Sequence, residues 1–183
     1  MSAFDRGRDI ETGEPRYARI ERERRWLVDT AARPALPDAW VTQIDDRYLA
    51  GTRMRLRRME RTDLGETKWK LTKKYECADP SARPIVSVYL TEPEYGLLRS
   101  LPAHELVKRR LHFTHRGQLW SLDVFAGALA GLELVECEAP DEAALTRLQP
   151  PEWVLREITD LPHWQGGALA AAQAIPEDRW PEY

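Results

Sequence analysis

Two glutamates and an arginine alternate near the start of the chain, at Glu21, Glu23 and Arg25. The apolar run that follows, Trp26 to Val28, contains aromatic and β-branched residues, which favours a strand over a helix. Alternate residues of a strand share one face, so the three charged side chains would project together. Two carboxylates about 7 Å apart along a strand can hold a hard divalent cation between them. The alternative for this stretch alone is an edge strand whose mixed charges face solvent.

Three later stretches alternate in the same manner, but their polar faces carry almost only cations. The cations are Arg53, Arg55 and Arg57 in the first stretch, Lys68, Lys70 and Lys74 in the second, and Lys108 and Arg110 in the third. In the first two stretches the intervening residues include apolar ones, such as Leu56 and Trp69. The alternation predicts strands with one cationic face and one apolar face, the first two joined as a hairpin.

Acidic residues recur later in the chain. Glu136 and Glu138 alternate on one predicted strand, and Asp123 lies on the strand before it. Opposite charges are therefore separated by strand, which exposure of an open sheet to solvent does not explain. In a closed barrel with a polar interior, inward cations repel one another unless a polyanion binds, and inward acids do so unless a divalent cation binds. A complex of a metal ion with a triphosphate meets both requirements, because the metal bridges phosphate oxygens while arginine and lysine neutralise the remaining charge.

The hydrophobic pattern places about eight strands and two or three short helices along the chain. The predicted strands span residues 19–28, 42–49, 52–58, 67–74, 85–90, 106–114, 119–125 and 132–139, with a further extended stretch at 153–159. The predicted helices span residues 92–101, 141–148 and 168–174. We therefore expect a mainly β (α+β) fold, an eight-stranded antiparallel closed β-barrel with a few short flanking helices.

The length of 183 residues suits one domain of ordinary size. We expect a flexible lead-in over residues 1–17, a single barrel domain over residues 18–175 and a C-terminal tail over residues 176–183. The net charge is −3, from 27 Lys and Arg against 30 Asp and Glu, which excludes a generally basic nucleic-acid-binding protein. Any positive site must come from the placement of cations rather than from total charge.

The two cysteines, Cys77 and Cys137, lie too far apart for a CxxC zinc motif and do not suggest a secreted disulfide scaffold. No apolar run approaches the length of about 18 residues that a membrane span needs. The first 16 residues lack the apolar region of a signal peptide. We therefore expect a cytoplasmic protein with no nucleic-acid or membrane partner.

Taken in order, these residues resemble the CYTH family, also called triphosphate tunnel metalloenzymes. The family signature starts with ExExK and continues with RxR, a lysine strand, KxR, an aspartate, ExE and a near-terminal threonine motif. The matching residues here are Glu21, Glu23 and Arg25, then Arg53 and Arg55, Lys68, Lys70, Thr72 and Lys74, Lys108 and Arg110, Asp123, Glu136 and Glu138, and Glu157 to Thr159. The resemblance covers roughly residues 18 to 174.

The resemblance implies an eight-stranded antiparallel tunnel that binds a triphosphate together with Mg²⁺ or Mn²⁺. The implied metal ligands are Glu21, Glu23, Glu136 and Glu138, with Asp123 either as a further ligand or as a residue that supports the ligands from behind. The implied phosphate path is lined by Arg53, Arg55, Lys68, Lys70, Lys74, Lys108 and Arg110. We expect Glu23, Arg25 and Glu138 to be the catalytic residues, with Arg25 as an electrostatic stabiliser. Mutual repulsion among the acids should raise the pKa of at least one of them in the metal-free protein.

Two positions depart from the family pattern. Arg25 replaces the lysine of ExExK, and arginine cannot give up its proton as lysine can. Arg83 is not followed by the acids that the family often has there. The expected function is metal-dependent hydrolysis of a small triphosphate, inorganic tripolyphosphate or a nucleoside triphosphate, by water attack on the terminal phosphoryl group. The alternatives are a class IV adenylyl cyclase, a thiamine triphosphatase, or a non-catalytic polyphosphate-binding module; the sequence leaves the substrate, the metal and the oligomeric state open.

Overall fold

The structure is a computed structural model that describes residues 17–179, so the expectations for residues 1–16 and 180–183 lie outside the described residues. The strands are β1 (Arg19–Val28), β2 (Trp40–Leu49), β3 (Met54–Arg61), β4 (Glu66–Lys74), β5 (Ala82–Leu90), β6 (Ala103–His115), β7 (Gln118–Phe125), β8 (Glu133–Glu138) and β9 (Val154–Glu157). The α-helices are α1 (Glu92–Arg99), α2 (Glu142–Thr146) and α3 (Gly166–Ala172). None of the helices between residues 17 and 179 is both long and apolar enough to span a membrane.

Eight of the strands close into an antiparallel barrel, in the order β1-β5-β4-β3-β2-β6-β7-β8 and back to β1. Strand β1 closes the ring because its first half pairs with β5 and its second half pairs with β8. The short β9 is an additional strand that pairs with the end of β1. The prediction of an eight-stranded antiparallel closed barrel with short flanking helices is therefore confirmed, and β9 corresponds to the extended stretch at 153–159.

Local sequence explains the tightest hairpin of the barrel, which joins β6 and β7. Arg116 and Gly117 both have positive φ, at 49° and 75°. A two-residue turn of this kind matches the right-handed twist of the two strands, and glycine adopts it without steric cost. The register that follows pairs Arg110 with Asp123 and His112 with Ser121, which places these four side chains on one inward face.

The outward faces of the strands carry the apolar residues, and helices cover them. On one side Trp26, Trp120 and Val135 pack with Leu145 of α2. On another side Leu56 packs with Tyr95 of α1, a helix that begins with a capping box between Thr91 and Glu94. Because the apolar side chains of these strands are buried outside the barrel, the charged side chains of the same strands face its interior.

A third apolar cluster lies inside the barrel at the end where α3 packs. Leu27, Leu106 and Phe125 lie on the same inward faces as Arg25, Lys108 and Asp123, and they pack with Trp164 and Leu169 of the C-terminal segment. The lumen is thus apolar and filled at this end. The remaining length of the lumen is polar.

Candidate functional site

The polar part of the lumen holds a cavity of about 590 Å³. Eleven Lys and Arg side chains and six Glu side chains line it, so its wall carries an excess of five positive charges. The chain as a whole carries a net charge of −3. Positive charge is therefore concentrated where an anion can be enclosed.

The sequence predicted thirteen site residues, and eleven of them line this cavity. These are Glu21, Glu23, Arg25, Arg53, Arg55, Lys68, Lys70, Lys74, Arg110, Glu136 and Glu138. The alternation along β1, β3, β4, β6 and β8 brings them to the inward face, as strand geometry requires. The two exceptions are Lys108 and Asp123.

Lys108 and Asp123 are paired with each other and do not line the cavity. The Lys108 ammonium lies 2.5 Å from Asp123 Oδ2, and Arg110 donates to both carboxylate oxygens at 2.7 and 2.8 Å. Asp123 is completely buried. Burial raises the pKa of its carboxyl, but Arg110 and Lys108 outweigh this effect and hold the pKa well below its usual range. Lys108 faces inward without lining this cavity, so its place on the phosphate path stays a prediction, and Asp123 is a buried counter-ion of the cationic wall.

Three acids from β1 and β8 lie close to one another at one side of the cavity. Glu23 is the register partner of Glu138, and the Lys74 ammonium lies 2.5 Å from Glu21 Oε2 and 3.3 Å from Glu23 Oε1. Burial raises the pKa of Glu21 and of Glu23, but Lys74 reverses the shift and leaves both pKa values lowered. Burial, together with Glu21 and Glu136, raises the pKa of Glu138. The direction at Glu138 agrees with the repulsion expected among clustered acids.

A divalent cation would suit the chemistry of this group, which offers only hard carboxylate oxygens. The bridging position between Glu21 and Glu23 already holds a positive charge, the ammonium of Lys74. Across residues 17–179, however, no three His, Cys, Asp or Glu side chains are arranged closely enough to form a ready-made metal site. The metal ligands therefore remain a prediction, with Glu21, Glu23, Glu136 and Glu138 as the residues that fit. Asp123 is the least available of the predicted ligands, because it is completely buried and does not line the cavity.

Arg25 lies between the acids and the apolar end of the lumen. Its Nη1 donates to the carbonyl oxygen of Trp164 at 3.1 Å, and its Nε lies 3.8 Å from Glu136 Oε2. Its backbone N–H donates to Thr159 Oγ1 at 3.0 Å, which ties β1 to the segment after β9. The guanidinium is thus held in place by the protein while only 6% of the residue is exposed.

Comparison with known proteins bears on this arrangement. No family profile matches the chain. The inorganic triphosphatase of Nitrosomonas europaea is 46% identical over 54 residues, which is 30% of this chain and 36% of that protein. The inorganic triphosphatase of Acetivibrio thermocellus is 39% identical over 62 residues, which is 34% of this chain and 38% of that protein. The matched segments therefore span little more than a third of the length of these curated relatives.

The whole-chain likeness comes from a solved structure. The crystal structure of the inorganic triphosphatase NE1496 superposes with a TM-score of 0.57 at 28% identity, covering 85% of this chain and 96% of that chain. This chain has the fold of an inorganic triphosphatase. The likeness extends over almost all of the solved chain, so it includes the barrel that encloses the cavity.

The sequence did not predict the role of Asp46, whose buried carboxylate holds the arginines on the cationic wall of this triphosphatase-like barrel. Asp46 on β2 accepts from Arg57 Nε at 2.6 Å and from Arg57 Nη2 at 2.8 Å, and Arg55 Nε lies 3.5 Å from it. The hairpin register aligns Asp46 with Arg57. Arg57 itself was noted as part of a cationic face but was not among the predicted site residues, although it lines the cavity and is more buried than Arg53. The sequence signal for Asp46 was its place at an alternate, inward-facing position of β2.

We expect Asp46→Asn to lower stability at pH 7 by about 3–5 kcal/mol, the usual cost of removing one partner from a buried ion pair. Burial raises the pKa of Asp46, but Arg57 and Arg55 overcome this and hold it far below its usual value. A lowered carboxyl pKa stabilises the fold above the unfolded pKa of about 4 and loses that contribution as pH falls. The difference between parent and variant should therefore shrink below pH 4, measured by urea unfolding across pH.

Asp45→Asn is the matched control for this experiment. Asp45 lies one residue away on the outward face, where Arg58 pairs with it at 3.2 Å and both side chains are about a third exposed. An exposed pair of this kind contributes less than about 1 kcal/mol. Equal losses in the two variants would show that Asp46 has no special role in holding the arginines.

The wall at the opposite side of the cavity ends in an aromatic stack. The rings of Trp40 and His112 are stacked at 3.5 Å with an interplanar angle of 12°, and the Arg61 guanidinium lies over the Trp40 ring, 4.2 Å from its centroid. Burial and Arg110 lower the pKa of His112 to about 4, so its imidazole is neutral at pH 7. The indole of Trp40 therefore contacts both the His112 ring and the Arg61 guanidinium, while 38% of the residue stays exposed.

Tyr48 and the start of α3 form another part of the wall. A Cβ added at Gly166 would overlap with the Tyr48 hydroxyl, and one added at Gly167 would lie 3.3 Å from the ring. Glycine at these two positions allows the tyrosine to pack directly against the helix backbone. Neither glycine was among the predicted site residues.

Proposed function

We propose that this chain is a member of the CYTH family and a metal-dependent hydrolase of small triphosphates, most readily inorganic tripolyphosphate. The observation that supports it best is the cavity wall with its excess of five positive charges beside a group of glutamates. The fold shared with an inorganic triphosphatase is consistent with this chemistry. Water attacks the terminal phosphoryl group, the bridging P–O bond breaks, and phosphate and diphosphate leave.

The cations of the wall act mainly by position and charge. Phosphoryl transfer spreads negative charge over oxygens that the enzyme must neutralise, and preorganised cations do this without reorganisation. Asp46 holds Arg57 and Arg55, and Asp123 holds Arg110, so these guanidinium groups are fixed before the substrate enters. Arg55, Arg57 and Arg110 therefore need no rearrangement to meet an anion that enters.

The acids provide the second part of the site. Glu21, Glu23, Glu136 and Glu138 would hold Mg²⁺ or Mn²⁺, which would supply positive charge for the phosphate oxygens and for the attacking water. Arg25 cannot accept a proton, so its role is to stabilise negative charge from a fixed position beside Glu136. If Glu21 and Glu23 held the metal, the Lys74 ammonium that lies 2.5 Å from Glu21 and 3.3 Å from Glu23 would have to leave this position.

An inorganic substrate fits the wall better than an organic one. A nucleobase or thiazolium ring would need a free aromatic face for stacking. Among the described residues Trp40 is the tryptophan that lines the cavity, and its ring already stacks on His112 and contacts the Arg61 guanidinium. This arrangement gives no support to a cyclase or a thiamine triphosphatase over a tripolyphosphatase.

A cytoplasmic location is part of the proposal. Cys77 and Cys137 are both free thiols, one exposed and one buried. Free thiols without disulfides suit a reducing compartment. A small-molecule triphosphate is the partner that the cavity supports.

The test is phosphate release from tripolyphosphate, ATP and thiamine triphosphate, each with Mg²⁺ or Mn²⁺ and with a chelator control. We expect release to be fastest from tripolyphosphate and to stop with the chelator. Tight binding of tripolyphosphate without release from any substrate would show a binding module instead. Faster release from ATP would overturn the inorganic preference.

A further inference from the structure

Lys70 differs from the other lysines of the inward faces because it has no ion-pair or hydrogen-bond partner among residues 17–179. Lys68 pairs with Glu66 at 3.5 Å, Lys74 pairs with Glu21 and Glu23, and Lys108 pairs with Asp123. Lys70 lines the cavity but makes neither an ion pair nor a side-chain hydrogen bond within the described part of the chain.

The groups that face Lys70 are mostly cationic. Arg57 is its register partner on β3, and Arg55 and Arg19 add positive charge, while Glu21 is the acid that opposes them. Burial, followed by Arg57 and Arg55, lowers the pKa of Lys70 to about 8. An amine in this environment gives up a proton far more readily than an ordinary lysine.

Hydrolysis of a triphosphate needs a proton donor for the leaving group, because breaking the bridging bond leaves charge on the diphosphate oxygen. The arginines of the wall do not release protons at neutral pH. Lys74 is held by two carboxylates that help to raise its pKa, and Lys108 does not line the cavity. His112 is already neutral, and its ring nitrogens lie 3.3 Å from Thr42 Oγ1 and 3.4 Å from Ser121 Oγ.

We infer that Lys70 is the general acid that protonates the diphosphate leaving group, an inference that rests on the proposed triphosphatase function. The water oxygen forms the new bond to the terminal phosphorus and gives up a proton to solvent, and the bond from that phosphorus to the bridging oxygen breaks. The departing oxygen takes a proton from Lys70 Nζ, and the neutral amine regains one from solvent after the products leave. The balance is water plus triphosphate giving phosphate plus diphosphate, with no change in oxidation state.

The decisive variant is Lys70→Arg, which keeps the positive charge but removes the transferable proton. We expect kcat on tripolyphosphate to fall about a hundredfold, the scale of general acid catalysis, while KM changes by less than about threefold. The parent should lose kcat as pH rises through the pKa of the donor, and the residual activity of Lys70→Arg should lack this alkaline decline. Lys70→Met should lose kcat and raise KM as well, because it removes the charge too.

Lys73→Arg is the matched control. Lys73 lies on the same strand but on the outward face, where its ammonium lies 4.9 Å from the Tyr75 ring and does not line the cavity. Its kinetics and pH profile should match those of the parent. Circular dichroism of each variant checks that the barrel is folded.

A titration by NMR of the lysine Cε groups gives a readout that does not depend on turnover. In the substrate-free protein two signals should titrate near pH 8, those of Lys70 and Lys108, and the Lys70 signal should be missing in Lys70→Arg while the Lys108 signal remains. Full kcat in Lys70→Arg, or a Lys70 pKa near the ordinary value, overturns the Lys70 inference alone. A parent that releases no phosphate from any triphosphate overturns the proposed function and this inference together.

Discussion

Glu23→Gln should reduce phosphate release by more than about a thousandfold at saturating Mn²⁺, while the barrel stays folded. Glu23 projects from β1 into the cavity beside its register partner Glu138. The affinity of such a site depends on the number of negative ligands, and a bound metal supplies several kcal/mol of stabilisation during phosphoryl transfer. Removing one carboxylate therefore removes charge where the reaction needs it.

The fold should tolerate this change for two structural reasons. Glutamine has almost the same shape as glutamate, so no cavity forms in the wall. Lys74 retains Glu21 at 2.5 Å, so its ammonium is not left without a partner. We expect the melting temperature to change by only a few degrees, measured by circular dichroism in the absence of metal.

Glu133→Gln is the control for the loss of a buried glutamate. Glu133 lies on β8 outside the cavity, where Arg33 donates to it at 2.5 and 3.0 Å. This variant should lose stability but keep its phosphate release. Unchanged release in Glu23→Gln at saturating Mn²⁺ would reject the role of Glu23 as a metal ligand.

The alternation of charge along the strands was enough to predict the closed barrel and most of its inward-facing site. Arg55, Lys70 and Glu136 reach the cavity because strand parity alone decides which face they occupy. Like charges that share one face of a strand repel one another. A closed barrel that encloses a bound anion offsets this repulsion, whereas an open sheet does not. The alternation of charged and apolar residues was therefore sufficient to predict a closed barrel with charged side chains in its interior.

The alternation of residues along a strand predicts which side chains face inward, but not how far along the barrel axis each one lies. Leu106, Lys108 and Arg110 share one inward face of β6, yet the first belongs to the apolar cluster, the second is buried against Asp123 and the third lines the cavity. The difference depends on where α3 and Trp164 fill the lumen, which is set by contacts between segments distant in sequence. The same reasoning explains why Lys108 faces inward without lining the cavity.

The role of Asp46 required the register of a hairpin as well as parity. Its neighbours on β2 show mixed polar residues rather than a strict pattern, so the strand gave no sign of a charged site. The pairing of Asp46 with Arg57 follows from the length of the turn between β2 and β3. Asp46 is therefore recognisable as part of the site only once its pairing with Arg57 on β3 is known.

Arg25→Ala should lower tripolyphosphate hydrolysis by more than about a hundredfold, the scale of deleting one preorganised donor to the transition state. The guanidinium is fixed by the Trp164 carbonyl at 3.1 Å and lies 3.8 Å from Glu136. Glu136 keeps Arg110 at 2.6 Å after the change, so the substitution does not leave a buried acid without a cation. The loss should therefore appear mainly in kcat.

Arg25→Lys separates the charge of this residue from its shape. A lysine keeps the positive charge and can approach a phosphoryl oxygen as a compact donor, so we expect activity within about tenfold of the parent, or an increase. Arg24→Ala is the control, because Arg24 lies on the outward face and pairs with Glu157 at 2.8 Å. It should lose some stability and no activity, measured by thermal melting and phosphate release.

The pattern across these variants decides what Arg25 does. If Arg25→Ala hydrolyses tripolyphosphate as fast as the parent, the residue is only part of the wall. If the parent releases no phosphate and Arg25→Lys gains activity, the natural protein is a polyphosphate-binding module whose arginine holds the anion bidentately without assisting the reaction. A large loss in Arg25→Ala together with retained activity in Arg25→Lys shows that a fixed positive charge beside Glu136 is what the reaction requires at this position.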